Sequence, residues 1–123
     1  DPHNGYGPNK FFRQALAGED IKLFGNGEEL RDHVHVEDVA KLICEIVSNK
    51  SQGVFNAVSG QVISFSEIAS KIQTTVNTNI KIRNVERQGP MPHNGYRAFD
   101  NSLVAKQFPK LHFRSFAEGL LTY

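Results

Sequence analysis

The sequence predicts an α/β fold in which a small mixed sheet is packed with helices. Three observations predict it. Segments such as Ile21-Lys22-Leu23-Phe24 and Ile80 to Val85 alternate with the two-residue period of half-buried strands. Two longer stretches, Val36 to Val47 and Phe65 to Val76, repeat apolar residues at helical spacing. The two kinds of segment alternate along the chain, with glycine- and proline-bearing turns between them.

Taken in order, the run Pro2-His3-Asn4-Gly5-Tyr6-Gly7-Pro8 is built of turn residues, so the chain is expected to open in a loop of a longer parent. From Asn9 the stripe Phe11, Phe12, Ala15 and Leu16 predicts a helix, with Gly18 as its stop. Ile21 to Phe24 is a short strand, Gly25-Asn26-Gly27 a turn, and Asp32 to Val36 a second strand. The helix after it places Val36, Val39, Ala40, Ile43 and Val47 on one face, with Glu37 and Asp38 in the first turn, where the helix dipole favours negative charge.

Gly53 to Val58 has the pattern of another strand, and Val62-Ile63 of a shorter extended piece. Ser64-Phe65-Ser66-Glu67 is a capping box, in which serine and glutamate each satisfy a free amide at a helix start. The helix it opens carries Phe65, Ile68, Ala69, Ile72 and Val76 on one face; this helix, from Ser64 to Thr78, and the one from Val36 to Ser48 are expected to cover the sheet. After the strand ending at Val85 comes a loop, Gln88 to Gly95, rich in glycine and proline. Leu103 to Phe108 predicts a short helix stopped by Pro109, and Ser115-Phe116-Ala117-Glu118 a second capping box opening a terminal helix. Pro-His-Asn-Gly-Tyr occurs at both Pro2 to Tyr6 and Pro92 to Tyr96, but nothing recurs at the short fixed period of a solenoid.

At 123 residues the chain is read as one domain around one core, too short for a cofactor domain plus a substrate domain. With 14 basic and 13 acidic side chains the formal charge is +1, which supplies no broad attraction to nucleic acid or anionic lipid. Any anion must be held locally. Cys44 lies in the apolar-rich stretch Val39 to Val47 and is read as a buried structural thiol, consistent with a reducing, cytoplasmic setting. No stretch has the apolar length that spans a bilayer. His33 and His35 would share one face of a strand, but two ligands do not make a metal site; His3, His93 and His112 are scattered and expected to be solvated.

Arg31, after a flexible turn and at a strand start, has a reasonable position for gripping a diphosphate through its guanidinium fork. A surface ion pair with a neighbouring acid is the plainer explanation of the same residue, and the same holds for Arg87 at the mouth of the proline-rich loop. Here the segment Gly25-Asn26-Gly27-Glu28-Glu29-Leu30-Arg31-Asp32-His33-Val34-His35-Val36-Glu37-Asp38-Val39-Ala40 resembles the G-x-G-x-x-x-R-D-x-x-x-V-x-D-V-A segment of the nucleotide-sugar epimerases and dehydratases, in the extended short-chain dehydrogenase/reductase family. The order of its neighbours is similar too: an Ala-Leu-Ala-Gly-Glu helix end, Gly53-Val54-Phe55-Asn56 before a glycine turn and capped helix, an Arg-x-Gly loop, an Asp-x-Ser segment and a closing Glu-Gly-Leu.

The resemblance implies a C-terminal substrate-binding lobe whose NAD-binding Rossmann domain is missing, from a homodimeric parent that passes hydride between a nucleoside diphosphate sugar and NAD. It implies that Arg31 and Arg87 hold the phosphates, and that Phe24 packs on the nucleotide base, although Phe24 suits a plain core position equally. Lys10 and Asn56 match positions that contact the nucleotide. The family loop commonly runs Arg-Pro-Gly-Asp, whereas this chain has Arg87-Gln88-Gly89-Pro90, so Arg97 is a rival for the role of Arg87. Tyr6 and Lys10 have the Tyr-x-x-x-Lys spacing of the family's catalytic pair, but Gly7-Pro8 between them is expected to break the helix that pair needs. The other reading of the chain is a stand-alone nucleotide-binding or protein-interaction module without catalysis.

Overall fold

The computed structural model describes residues 7–122. In chain order the elements are α1 (Gly7–Ala17), β1 (Ile21–Phe24), β2 (Leu30–Asp32), α2 (Val36–Ser48), β3 (Val62–Ser64), α3 (Phe65–Val76), β4 (Ile82–Val85), a 3-10 turn (Pro92–Gly95), β5 (Tyr96–Arg97), α4 (Ser102–Gln107) and α5 (Phe116–Leu120). They form two compact units. The first takes in the chain up to Arg31 together with Ile63–Tyr96, and the second Asp32–Val62 together with the residues from Arg97 onward. The α/β class is as the sequence predicts, but the strands make two small sheets instead of one: a pair β1-β4, and a three-stranded sheet in the order β3-β2-β5. Gly25 and Gly27, both at positive φ, turn the chain away from β1 before β2 begins.

In the first unit β1 and β4 run parallel, with Ile21 opposite Ile82 and Phe24 opposite Val85. Parallel neighbours need a crossover, and α3 lies on it, packed against α1 and both strands. Alternation along β1 buries Ile21 and Leu23 and leaves Lys22 and Phe24 outward. Phe11, Ala15, Ile68, Ala69, Ile72 and Ile80 complete this core. Phe65 meets Phe11 edge to face, with ring centroids 6.2 Å apart. Helix α1 spans Gly7–Ala17 with Pro8 in its first turn, where a missing N–H costs nothing; Tyr6, the residue that Gly7-Pro8 is expected to part from the helix of Lys10, lies outside the described residues. Gly18, at φ 73°, ends that helix as predicted. The first capping box is present: Ser64 Oγ accepts from the Glu67 amide at 3.2 Å, and Glu67 accepts from the Ser64 amide at 3.0 Å. Helix α3 ends at Val76, short of Thr78.

The second unit is built on Leu42, Val104 and Phe108, with Ile46, Phe55, Ala57, Leu111 and Phe113 packed around them. The second capping box is also formed, between Ser115 and Glu118. Several expectations are corrected here. Strand β2 ends at Asp32, so His33 and His35 do not share a strand face; His35 is the N-cap of α2, its Nδ1 accepting from the Glu37 amide at 3.3 Å. Gly53 to Val58 is not a strand, because no strand pairs with it; Asn56 Nδ2 instead donates to the Asp100 carbonyl at 2.9 Å.

Helix α2 is amphipathic, but it turns the opposite way from the sequence reading. Asp38 and Leu42 are buried, while Val36, Ile43 and Val47 are 69%, 55% and 69% exposed. Cys44 is exposed on the same helix, not a buried thiol. Helix α3 packs against β1 and β4 in the first unit, and α2 belongs to the second. His93 and His112 are exposed, whereas His3, Tyr6 and the first copy of Pro-His-Asn-Gly-Tyr lie outside the described residues.

Candidate functional site

Parallel strands that end together leave their following loops side by side, which is where open α/β sheets bind ligands. Phe24 and Val85 end β1 and β4 in register, so the Gly25-Asn26-Gly27 turn and the Glu86-Arg87 segment emerge as neighbours. The two are tied: the Gly25 amide donates to the Val85 carbonyl at 2.9 Å, and Asn84 Nδ2 donates to the Gly25 carbonyl at 2.7 Å. Gly27, at φ 66°, lies so close to the start of α3 that a Cβ there would stand 2.9 Å from the Ser66 amide nitrogen. Its carbonyl accepts from that amide at 2.9 Å, and the Glu29 carbonyl from the Phe65 amide at 3.2 Å. The turn is therefore clamped between the strand ends and a helix start. Beside it, the Glu28 carboxyl is held below its ordinary value of 4.5, chiefly by its own backbone amide and then by the Asn26 amide and the nearby Arg87.

This frame brings three charged side chains together. Arg31 Nη2 meets Glu29 Oε2 at 2.7 Å, and Arg87 Nη1 meets the other oxygen, Oε1, of the same carboxylate. The side chains of Glu29, Arg31 and Arg87 are only 10%, 7% and 19% exposed. Arg31 also donates from Nη1 to the Leu30 carbonyl at 2.9 Å and from Nη2 to the Pro92 carbonyl at 3.0 Å. Arg87 donates from Nη2 to the Phe24 carbonyl at 3.4 Å, and its buried Nε has no hydrogen-bond partner among the described residues. Two guanidiniums share one carboxylate in a place largely shielded from water, where charge interactions are strong, with the Glu28 carboxylate near Arg87 as well.

Of the two sequence-level readings of Arg31, the ion pair is the one present in the structure. The ion pair with a neighbouring acid exists, but it is buried, not on the surface, and it also engages Arg87. The guanidinium of Arg31 does not project into open space; it is held by Glu29, Leu30 and Pro92. The structure brings Arg87, not Arg97, to the carboxylate that Arg31 grips. Arg97 belongs to the second unit, with its guanidinium 5.3 Å from the centroid of the Phe99 ring. Phe24 is 59% exposed, which removes the plain core reading of that residue. Lys10 is exposed on α1 in the first unit, and Asn56 belongs to the second.

Sequence reasoning did not single out Glu29 or Asp32. Glu29 is one of two adjacent acids in a turn, and only its contact with Arg87, 58 positions further along the chain, distinguishes it. Asp32 ties down the Ser59-Gly60 turn, accepting from Ser59 N at 2.9 Å, Ser59 Oγ at 2.8 Å and Gly60 N at 2.8 Å. Among the described residues, no group of three or more His, Cys, Asp or Glu side chains is arranged to hold a metal ion, and no helix is long and apolar enough to cross a membrane.

A parallel strand pair with a helical crossover, and two arginines that meet on one buried carboxylate beyond its carboxyl edge, define the α/β class of this protein. Comparison with known proteins supplies the family. The sequence profile of the NAD dependent epimerase/dehydratase family matches residues 2–58. An ADP-L-glycero-D-manno-heptose-6-epimerase of Pseudomonas aeruginosa is 33% identical over 107 residues, covering 77% of this chain and 32% of that protein. Among solved structures, the UDP-N-acetylglucosamine 4-epimerase of Methanobrevibacter ruminantium, in complex with UDP-N-acetylmuramic acid, superposes with a TM-score of 0.80 at 25% identity, over 98% of this chain and 38% of that one. An enzyme of Bordetella bronchiseptica in complex with NADH superposes with a TM-score of 0.76 at 25% identity, over 94% of this chain and 34% of that one. The chain is thus similar to the NAD-dependent epimerase/dehydratase family, through its profile over residues 2–58, and it spans about a third of the length of the curated relative it matches.

Proposed function

We propose that this chain is the C-terminal, substrate-binding part of an NAD-dependent nucleotide-sugar epimerase or dehydratase, and that Arg31 and Arg87 hold the diphosphate of the sugar nucleotide. The convergence of these two arginines on one buried carboxylate carries the reading. A guanidinium offers donors in a planar fork and never loses its charge, so two of them facing one anionic position suit a diphosphate better than a lone lysine would. Phe24, exposed at the end of β1 beside the same turn, offers an aromatic face to the base. Lys10 and Asn56 are further candidates for nucleotide contact, and Arg97 remains the alternative to Arg87.

The work of these residues is orientation: fixing diphosphate and base sets where the sugar ring lies, which is a large part of bringing two reactants into reacting geometry. The Gly25-Asn26-Gly27 turn leads into strand β2, not into a helix N-terminus, so it does not form the cradle that holds the pyrophosphate of a dinucleotide. We therefore assign NAD, and the hydride exchange it supplies, to the remainder of the enzyme. The exposed stripe Val36, Ala40, Ile43, Cys44 and Val47 on α2 suits burial against that cofactor-binding domain.

Calorimetric titration of the complete enzyme with its sugar nucleotide tests the assignment. Arg31→Ala should weaken that binding by roughly tenfold or more while the affinity for NAD stays unchanged, since a charge-assisted pair contributes on the order of 1.5–3 kcal/mol. Equal sugar-nucleotide affinity in variant and parent removes Arg31 from the site.

A further inference from the structure

We infer that Glu29 is a built-in counter-ion, a stand-in for phosphate that a ligand must displace, and that it thereby sets how many phosphoryl groups a ligand needs to enter. This rests on the diphosphate reading above and adds a specificity-determining residue to it. The Glu29 carboxylate presents one oxygen to each arginine, Oε2 to Arg31 and Oε1 to Arg87, so it lies where the two donor forks converge. Two guanidiniums this close repel each other, and a carboxylate between them keeps both in place when no ligand is bound. Any anion that takes over those donors must replace a carboxylate already well held in a place of low exposure.

The number of phosphoryl groups then decides which ligands succeed. A nucleoside monophosphate is close to a dianion at neutral pH, but it brings a single phosphoryl group to two guanidinium forks that Glu29 already spans. A nucleoside diphosphate, or a sugar joined through one, carries two phosphoryl groups and presents one to each guanidinium. Its acceptor oxygens, spread over two phosphoryl groups, outcompete Glu29, and the buried Arg87 Nε, which has no acceptor among the described residues, is one donor available to it. Glu29 is thus a filter that favours diphosphates over monophosphates.

Glu29→Gln tests this, because it keeps the shape and an acceptor oxygen while removing the charge. Purified parent and variant are titrated calorimetrically with UDP and ADP, and with UMP and AMP, at fixed ionic strength, after their circular dichroism and thermal melting have been compared. The parent should prefer the diphosphate of the better-bound base; in the variant both ligands should tighten, the monophosphate by about tenfold and more than the diphosphate, so that the preference narrows. Glu29→Asp, which keeps the charge but is too short to span both arginines, should give an intermediate preference and guards against a variant that fails to fold. A preference unchanged in Glu29→Gln, or weaker binding of both ligands, means that Glu29 only props up the arginines, and the inference is overturned while the diphosphate site stands. No binding of either diphosphate to parent or variant overturns the diphosphate site as well.

Discussion

Asp38 and Arg114, 76 residues apart, are joined through both backbone and side chain: Asp38 Oδ2 accepts from the Arg114 amide at 2.9 Å, while Oδ1 lies 3.3 Å from the guanidinium Nε. Asp38 has no exposed surface, and Lys41 Nζ stands 3.4 Å away. Burial pulls its carboxyl up, but the Arg114 amide, Lys41 and the Arg114 guanidinium together outweigh it and hold it below its ordinary 3.8. Asp38→Asn keeps the size and removes the charge, so it should destabilise the fold by about 1–3 kcal/mol. A urea melt should show a lower midpoint at unchanged slope. Because the folded carboxyl is the more acidic one, its contribution is present above the unfolded value and is lost as pH falls through the folded one. The parent should therefore lose more stability on acidification below about pH 4 than Asp38→Asn does.

The two capping boxes behave in the same sense. Glu67 is held below its ordinary 4.5 first by the Ser64 hydroxyl and then by the Ser64 amide, and Glu118 first by the Ser115 amide and then by its hydroxyl. Both stabilise their helices when ionised. That support is complete above about pH 5 and disappears as pH drops through the lowered folded values. Ser64→Ala should cost about 1 kcal/mol at neutral pH, and the penalty should shrink toward pH 3 as Glu67 protonates in the parent. A penalty that is constant across that range in thermal melts would show that the box is not the source of the shift.

Gly27 and Gly18 separate two costs of replacing a glycine. Both sit at positive φ, 66° and 73°, but a Cβ on Gly18 meets nothing within 4 Å, whereas one on Gly27 would stand 2.9 Å from Ser66 N. Gly18→Ala should cost only the conformational term, about 1 kcal/mol. Gly27→Ala must also push the turn off the start of α3, so its cost should exceed that of Gly18→Ala by about 1 kcal/mol or more. Since the same turn leads to Glu29 and Arg31, nucleotide affinity should fall with Gly27→Ala and stay unchanged with Gly18→Ala. Equal destabilisation by the two substitutions would falsify the close approach.

What the sequence made legible follows from how local each signal is. Both capping boxes, the Gly18 stop and β1 rest on residues within a few positions of each other, and the structure has them where their spacing puts them. The strand expected at Gly53 to Val58 failed because a run of strand-favouring residues marks extended chain without saying whether a partner strand exists. On α2, periodicity revealed an apolar stripe but not what it faces; Asp38 reads as an exposed first-turn acid until Arg114, far along the chain, neutralises it in the interior. The site shows the same division. Arg31 and Arg87 stood out one by one, but their meeting on Glu29 depends on the in-register parallel pairing of β1 with β4, which no local pattern encodes.

Phe24 offers a test that keeps folding and binding apart. Its side chain points outward from β1 and the residue is 59% exposed, so Phe24→Ala removes little buried surface and should change stability by no more than about 0.5 kcal/mol. If its ring is the platform for the base, the loss of one aromatic face against a base, on the order of 1–3 kcal/mol, should weaken nucleotide binding by roughly tenfold. Phe24→Tyr should retain most of the affinity and Phe24→Leu little of it, because stacking depends on the planar ring more than on bulk. Pyrophosphate carries no base, so its affinity should be the same in all four proteins. If Phe24→Ala weakens UDP and pyrophosphate alike, the residue acts through the neighbouring arginines, by way of the carbonyl that Arg87 contacts, and the base lies elsewhere.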